Sequence, residues 1–275
     1  MSKDNFGDRL KEVEQLEAGR RFHPNAPVMV RIDGRSFSNW TRGLARPYDE
    51  RLSRLFIETT KYLVEESNAI IGFCQSDEIS LILHTENEKS EIFFNGKIQK
   101  LVSVLASIAT AKFNSLVPTV LPERAGNLAT FDCRCWGVLN KQEAVDNLIW
   151  RVRDAEKNSK SMAARELFSH KELENKTSNE MMTMMEEKGV VWGNYPDFFK
   201  RGTFVRRVTE LRELTAEERE KIPEKFRPPV GAKFIRSSVK EMSWPPLTKV
   251  LNQVNLIFNN ESPILESDMV GVRVI

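Results

Sequence analysis

Cysteine is scarce in this sequence, with three among 275 residues, and Cys74, Cys133 and Cys135 build neither a disulfide framework nor a four-thiolate zinc site. A reducing, cytoplasmic setting is expected. Charge of one sign is also lacking: 41 Lys and Arg stand against 39 Asp and Glu, a net of +2, so the total neither requires nor excludes a polyanionic partner, which only a local patch would steer. The longest uncharged stretch, Leu101 to Ala111, is short for a bilayer span, and the charged start, Met1-Ser2-Lys3-Asp4-Asn5, lacks the apolar core of a signal peptide. No membrane association is expected. With 13 Gly, 12 Pro and 40% apolar residues the chain is neither collagen-like nor disordered, and it carries no internal repeat. What remains is a globular protein of one large domain, or a compact domain with a smaller companion.

Apolar spacing then sets out the elements. Leu10, Val13 and Leu16 suit an amphipathic helix over residues 3 to 20, stopped by Pro24 and Pro27. Val28-Met29-Val30-Arg31-Ile32 reads as a buried strand, with Gly34 permitting a sharp turn that leaves Asp33 at the strand's carboxyl end. Asp49 caps a helix bearing Leu52, Leu55, Phe56, Thr59, Tyr62 and Leu63 on one face. Ala69–Phe73 and Ile79–Leu83 form a hairpin around the acidic tip Cys74-Gln75-Ser76-Asp77-Glu78. A helical stripe runs from Phe94 to Ala109, and Thr130 to Trp136 is a further strand, with Cys133 and Cys135 packing on one side of it. The order β, α, β, β, α, β predicts an α+β fold, a ferredoxin-like antiparallel sheet with two helices on one face.

Beyond residue 138 the reading is mostly helical. Asn140 caps one helix, Thr177-Ser178-Asn179-Glu180 is a capping box ahead of Met181, Met182, Met184 and Met185 as core filler, and Gly189 is the stop. Gly202 to Val208 is a strand, Thr215 and Glu218 open a charged helix, Pro223, Pro228 and Pro229 mark an irregular link, and Leu247 to Phe258 is a last helix.

The chemistry sits on Asp33 and the Asp77-Glu78 step. Strand one and the hairpin are sheet neighbours in this order, so their acids converge on one rim. Converging carboxylates repel unless a hard cation lies between them, which points to metal-assisted phosphoryl or nucleotidyl transfer. Either acid alone is also an ordinary turn former. Asp77 ranks ahead of Glu78, because successive side chains on an extended chain point opposite ways. Arg35, Ser36 and Ser38 follow Gly34 in a turn suited to phosphate, and Arg46 adds a second cation. Phe37 and Trp40 are candidates for base stacking or for the core. His23, His84 and His170 lack metal-ligand spacing and no Gly-x-Ser-x-Gly elbow occurs. Between residues 190 and 245, 12 Lys and Arg face 8 Asp and Glu, a surplus of four that includes Arg201, Arg206 and Arg207 around a strand. That stretch suits either an RNA backbone or a solvated face.

Together, Arg31-Ile32-Asp33-Gly34-Arg35-Ser36-Phe37, Arg46-Pro47-Tyr48-Asp49 and Gln75-Ser76-Asp77-Glu78-Ile79-Ser80 resemble the tRNA-His guanylyltransferase family, the reverse (3′→5′) nucleotide polymerases. The likeness continues through Phe131-Asp132, Trp150-Arg151, Asp154-Ala155, Asn158-Ser159, Phe168 to Leu173 and Lys200-Arg201-Gly202, and spans roughly residues 5 to 240. It implies a polymerase-palm core over 1–138 and a region over 139–275 that gives RNA contacts and an oligomer surface. It also implies two Mg²⁺ ions held by Asp33, the Gly34 carbonyl and Asp77, with Glu78 as helper. ATP and GTP are the implied substrates, contacted by Gly34, Arg35, Ser36, Phe37, Ser38, Arg46, Asp49 and Ser76. The implied RNA contacts are Arg151, Asn158, Lys176, Arg201, Arg206 and Arg207, the partner is tRNA, and the assembly is a homo-oligomer, a tetramer by family habit. Arg46 stands where a Lys is usual, Ser38 replaces a common His, and Glu156 occupies the place of the His in the His-Ile-Asn-Asn signature. These departures resemble the bacterial and phage type that repairs 5′ ends against a template. Two other readings stay open: a ferredoxin-like RNA-binding module without activity, and a palm-type nucleotide cyclase.

Overall fold

Strand-forming runs at both ends of the chain join one sheet. In the computed structural model, which describes residues 5–87 and 89–269, the first half comprises α1 (Asn5–Ala18), β1 (Val28–Gly34), α2 (Phe37–Trp40), α3 (Glu50–Ser67), β2 (Ile71–Gln75), β3 (Glu78–Leu83), α4 (Ile98–Val120) and β4 (Phe131–Gly137). The second half comprises α5 (Lys141–Arg165), α6 (His170–Leu173), α7 (Ser178–Glu187), α8 (Asp197–Arg201), β5 (Thr203–Glu213), α9 (Ala216–Glu220), β6 (Lys233–Met242), α10 (Gln253–Phe258) and α11 (Glu266–Met269). The strands pair antiparallel in the order β4-β1-β3-β2-β5-β6. The first four strands make the expected ferredoxin-like unit.

Alternation along β1 sets the two faces. Val28, Val30 and Ile32 enter the core shared with α3 and α4, while Met29 enters a second core with Val145, Leu148 and Val152 of α5 and with α10. The sheet is therefore covered on both faces, not on one. Five rings, Phe37, Trp40, Phe56, Phe113 and Phe131, fill the first core with centroids 5.0–5.9 Å apart. Asp49 caps α3 by accepting from the Arg51 amide, and Asn140, Thr177 and Thr215 cap their helices as the sequence predicts.

Several expectations need correction. Gly34 lies within β1, and Ser36 takes the left-handed conformation of the turn (φ 53°). A Cβ on Gly34 would meet the Phe37 ring at 2.3 Å, so close packing rather than backbone freedom demands glycine there. The predicted Phe94–Ala109 helix begins only at Ile98, because Phe94 and Asn95 both have positive φ. By length and composition the 23-residue α4 could cross a membrane, a property that counting uncharged residues missed; its stripe of Leu101, Leu105, Ala109, Phe113 and Val117 is buried on the sheet. Strand β6 falls just beyond the supposed proline-rich link and pairs with β5 over ten residue pairs, so the second half is less helical than expected. The last helix is broken: a 3₁₀ turn at Leu247–Lys249 precedes α10. Of the four methionines only Met185 is fully buried. Phe6, Leu10, Val13 and Leu16 of α1 are exposed, and Lys3 and Asp4, counted in that helix, lie outside the described residues.

Replacing the fully buried Phe113 with alanine removes one of the two rings, with Phe37, that touch all the others. Phe113→Ala is expected to lower stability by about 3–5 kcal/mol, read as the change in denaturation midpoint at constant m-value.

Candidate active site

Strand pairing places the acids. Asp33 lies opposite Asp132 of β4 on one side and Glu78 of β3 on the other, so three carboxylate residues form one row across the sheet. Asp77 follows at the two-residue hairpin tip, where Ser76 has positive φ (55°) and the Asp77 carbonyl accepts from the Gly34 amide at 3.0 Å. Asp33, Gln75, Ser76, Asp77 and Glu78 line one wall of a cavity of about 340 Å³. Arg151, Asn158, Ser161, Met162 and Arg165 of α5 line the other.

The acids are not equivalent. Burial pushes the Asp33 carboxyl above its ordinary range, Asp132 adds to the rise, and Arg134, Arg31 and Arg151 oppose it. Burial also raises Asp77, with the Asp33 charge second. Glu78 is raised by burial as well, against the pull of Arg151. Arg151 donates from Nε to Glu78 Oε1 at 2.6 Å and from Nη2 to Oε2 at 2.5 Å, then reaches Asp154 at 3.1 Å. Both Glu78 oxygens are thus engaged by a fork-shaped cation. Among the described residues Asp33 and Asp77 have no such partner. Among the described residues no group of three or more His, Cys, Asp or Glu could hold a metal ion by itself. Two carboxylates with the Gly34 carbonyl beside them nonetheless suit Mg²⁺, which takes hard oxygen donors and keeps waters and phosphate oxygens for the rest.

A second cavity, about 90 Å³, adjoins the first through Gln75, Ser76 and Met162, and is lined by Arg46, Pro47, Tyr48, Asp49, Leu52, Phe198 and Phe199 among others. The structure therefore gathers Asp33, Asp77, Glu78, Ser76, Arg46, Asp49, Arg151 and Asn158 around two connected spaces. Arg35, Ser36 and Ser38 are exposed on the turn after Gly34 and line neither cavity.

Four expected contacts are redirected. Phe37 packs among the core rings, so its side chain is withdrawn from any nucleotide. Asp49 is the α3 cap, its oxygens accepting from Arg51 and from the Ala45 amide. Arg206 is buried and donates to the carbonyls of Leu256 and Ile257, which removes it from an RNA surface and makes it a tie between β5 and α10. Arg151 faces inward onto Glu78. Of the rest, Arg201 pairs with Glu156 and Asp197, Arg207 donates to the Glu65 carbonyl, and Lys176 is exposed near Glu180. Sequence reasoning missed Asp132, Arg134, Ser161 and Arg165 as neighbours of the site. A polar stripe at 151, 154, 158, 161 and 165, flanking the apolar stripe of α5, carries the signal that finds the last two.

A family model described as tRNAHis guanylyltransferase matches residues 8–138. The tRNA(His) guanylyltransferase of Saccharomyces cerevisiae is 30% identical over 77% of this chain and 93% of its own length. The chain belongs to the tRNA-His guanylyltransferase family. An uncharacterised protein of Acanthamoeba polyphaga mimivirus is 31% identical over 74% of this chain and 77% of its own length. A bacterial tRNA(His) guanylyltransferase-like protein solved with ATP superposes with a TM-score of 0.69 at 38% identity, covering 74% of this chain and 88% of that one. Its counterpart solved with GTP also gives 0.69, at 32% identity over 90% and 95%. As a guanylyltransferase-family member, the chain is a nucleotidyltransferase, which sets aside the module without activity.

Because burial and Asp33 hold the Asp77 proton more tightly in the folded state, folding stability is full below the unfolded-state pKa and falls as pH rises through the folded one. With divalent ions chelated, Asp77→Asn is expected to melt above the wild type at pH 7. At about pH 3, below the usual carboxylate range, the two should melt together; calorimetry across this range checks the sign.

Proposed function

We propose that the protein adds nucleotides to the 5′ end of tRNA in the 3′→5′ direction. The RNA 5′-monophosphate first attacks the α-phosphorus of ATP or GTP, expelling pyrophosphate, and the 3′-hydroxyl of an incoming nucleotide then attacks the activated phosphate, expelling the nucleoside monophosphate. One observation carries this reading: two partly buried carboxylates, Asp33 and Asp77, lie at the rim of one cavity with their proton affinity raised by burial, that of Asp77 further by the Asp33 charge, while the neighbouring Glu78 is already paired. Such a pair is unfavourable by itself and becomes favourable when positive charge and phosphate arrive together.

Asp33, Asp77 and the Gly34 carbonyl would hold Mg²⁺, which when bound stabilises the attacking and leaving oxygens of a phosphoryl displacement. The protein's own groups supply the rest. Arg151 keeps Glu78 neutralised, so that no third free negative charge repels the incoming phosphate. Ser76 faces both cavities and lies between the reacting end and Arg46. Arg35, Ser36 and Ser38, exposed beside Gly34, are placed for an incoming polyanion. Residues 1–138 hold the carboxylates, while α5, from the second half, closes their cavity and belongs with the catalytic part. Lys176, Arg201 and Arg207 remain the RNA contacts of this reading, and Arg206 does not.

The departures at Ser38, Arg46 and Glu156 support templated 5′-end repair over strict tRNA-His specificity. The homo-oligomer stays part of the reading, supported by the exposed Phe6, Leu10, Val13 and Leu16 of α1, and so does the cytoplasm, supported by three free thiols. An RNA-binding sheet would need rings facing solvent, whereas Phe73 and Phe204 pack against each other at a tilt and are buried.

A tRNA lacking its first 5′ nucleotide, labelled at its 5′ end, tests the proposal. The wild type should extend it only with Mg²⁺, and Asp77→Ala should be slower by at least ~100-fold. Extension at the wild-type rate by Asp77→Ala would remove Asp77 from the metal site, and cyclised product from ATP and GTP without RNA would favour a cyclase.

A further inference from the structure

The face of α5 that looks into the first cavity presents two guanidinium groups in different electrostatic states. Arg151 is consumed by Glu78 and Asp154. The side chain of Arg165, at the last residue of α5 and on the same wall, is exposed at the cavity's end and forms no hydrogen bond or ion pair with any described residue. It stands two helical turns beyond Asn158, about 10 Å along the axis, past Ser161 and Met162. The opposite wall is the hairpin segment Gln75-Ser76-Asp77.

The cavity is therefore polarised along its length. One end holds Asp33 and Asp77, where negative charge exceeds the available cations; the other ends in an unneutralised fork of five N–H donors. A simple acidic metal pocket would not need a cation there, and a structural arginine would have a carboxylate or carbonyl partner, as Arg151, Arg201, Arg206 and Arg207 all do. A chain of phosphates satisfies both ends at once: its reacting phosphorus at the carboxylates, its distal oxygens on the guanidinium, whose planar fork matches phosphate in bidentate geometry. Ser161 and Asn158 lie between with a hydroxyl and an amide.

We infer that Arg165 binds the distal phosphates of a polyphosphate whose reacting phosphorus lies at the Asp33 and Asp77 end. The inference rests on the reading of those two acids as the reaction centre. The polyphosphate belongs either to a nucleoside triphosphate or to an RNA 5′-triphosphate, which share this chemistry.

Inorganic tripolyphosphate with Mg²⁺ is the probe, titrated calorimetrically into the wild type, Arg165→Ala and Arg165→Lys. Since the Arg165 side chain holds nothing in the fold, all three should share one melting temperature. Arg165→Ala should bind tripolyphosphate at least 10-fold more weakly, and Arg165→Lys should recover part of the loss, because charge returns without the fork. In parallel, nucleotide addition is followed with RNA bearing a 5′-monophosphate or a 5′-triphosphate. A raised KM for the free nucleotide on both RNAs, with kcat little changed, assigns the polyphosphate to the nucleotide. A raised KM confined to the triphosphorylated RNA assigns it to the RNA end. Either supports the inference. Unchanged tripolyphosphate affinity in Arg165→Ala, or no tripolyphosphate binding by the wild type, overturns it. A wild type that binds the probe through Arg165 yet adds no nucleotide would refute the proposed function and leave this site standing.

Discussion

The structure is organised around one electrostatic constraint: like charges are held together at a partly dry rim. Strand register enforces it. Val28, Val30 and Ile32 must face the α3/α4 core, and the hydrophobic residues of β3 fix their partners, so Asp33 has no freedom to avoid Asp132 and Glu78 across the sheet. A slip by one residue would turn every apolar side chain of β1 to the wrong face. Packing energy thus keeps carboxylates where electrostatics alone would separate them. The offset comes from the opposite face. Helix α5 docks through Val145, Leu148, Val152 and Ala155, and the same docking delivers Arg151 onto Glu78. What is left without a forked cation among the described residues, Asp33 and Asp77, is the part to which the proposed function assigns divalent cations and phosphates.

Much of this was legible in the sequence, and for identifiable reasons. The apolar, β-rich runs Val28–Ile32 and Ile79–Leu83 located the two central strands, and the element order around them yielded the sheet neighbours. Two acids at the ends of those elements then had to meet. The ranking of Asp77 over Glu78 rests on the alternation of an extended chain; the structure adds that Glu78 sits directly opposite Asp33 and is held by Arg151. Capping residues were equally readable, because a cap is a local interaction between a side chain and the backbone three residues on.

What was not legible depends on partners distant in the chain. Arg206 looks like any other basic residue in a stretch with surplus charge; only the approach of α10 from fifty residues away turns it inward onto two carbonyls. Arg151 could be placed on a helix but not aimed, since its target lies on β3. Strand β6 follows a segment rich in proline and glycine and carries Lys, Arg and Ser at half its positions; its propensity is weak, and pairing with β5 creates it. The arm that results puts Leu211 opposite Ile235 on an exposed face, a pairing that no local pattern announces.

Gly34 shows how closely the chemistry is tied to the core. The turn that follows carries Arg35, Ser36 and Ser38 toward solvent while Phe37, between them, is driven into the five-ring cluster. That arrangement requires the ring to pass within van der Waals contact of the Gly34 backbone, where a Cβ would stand 2.3 Å away. The glycine therefore does two things that seem unrelated: it lets the aromatic core anchor the turn, and it keeps a carbonyl adjacent to Asp33 on a strand too tightly packed to drift. Any larger residue would have to displace either the ring or the strand end. Displacing the ring loosens the turn, and displacing the strand end moves Asp33 relative to Asp77, so the rigidity of the hydrophobic core and the spacing of the two acids are a single property of this sequence.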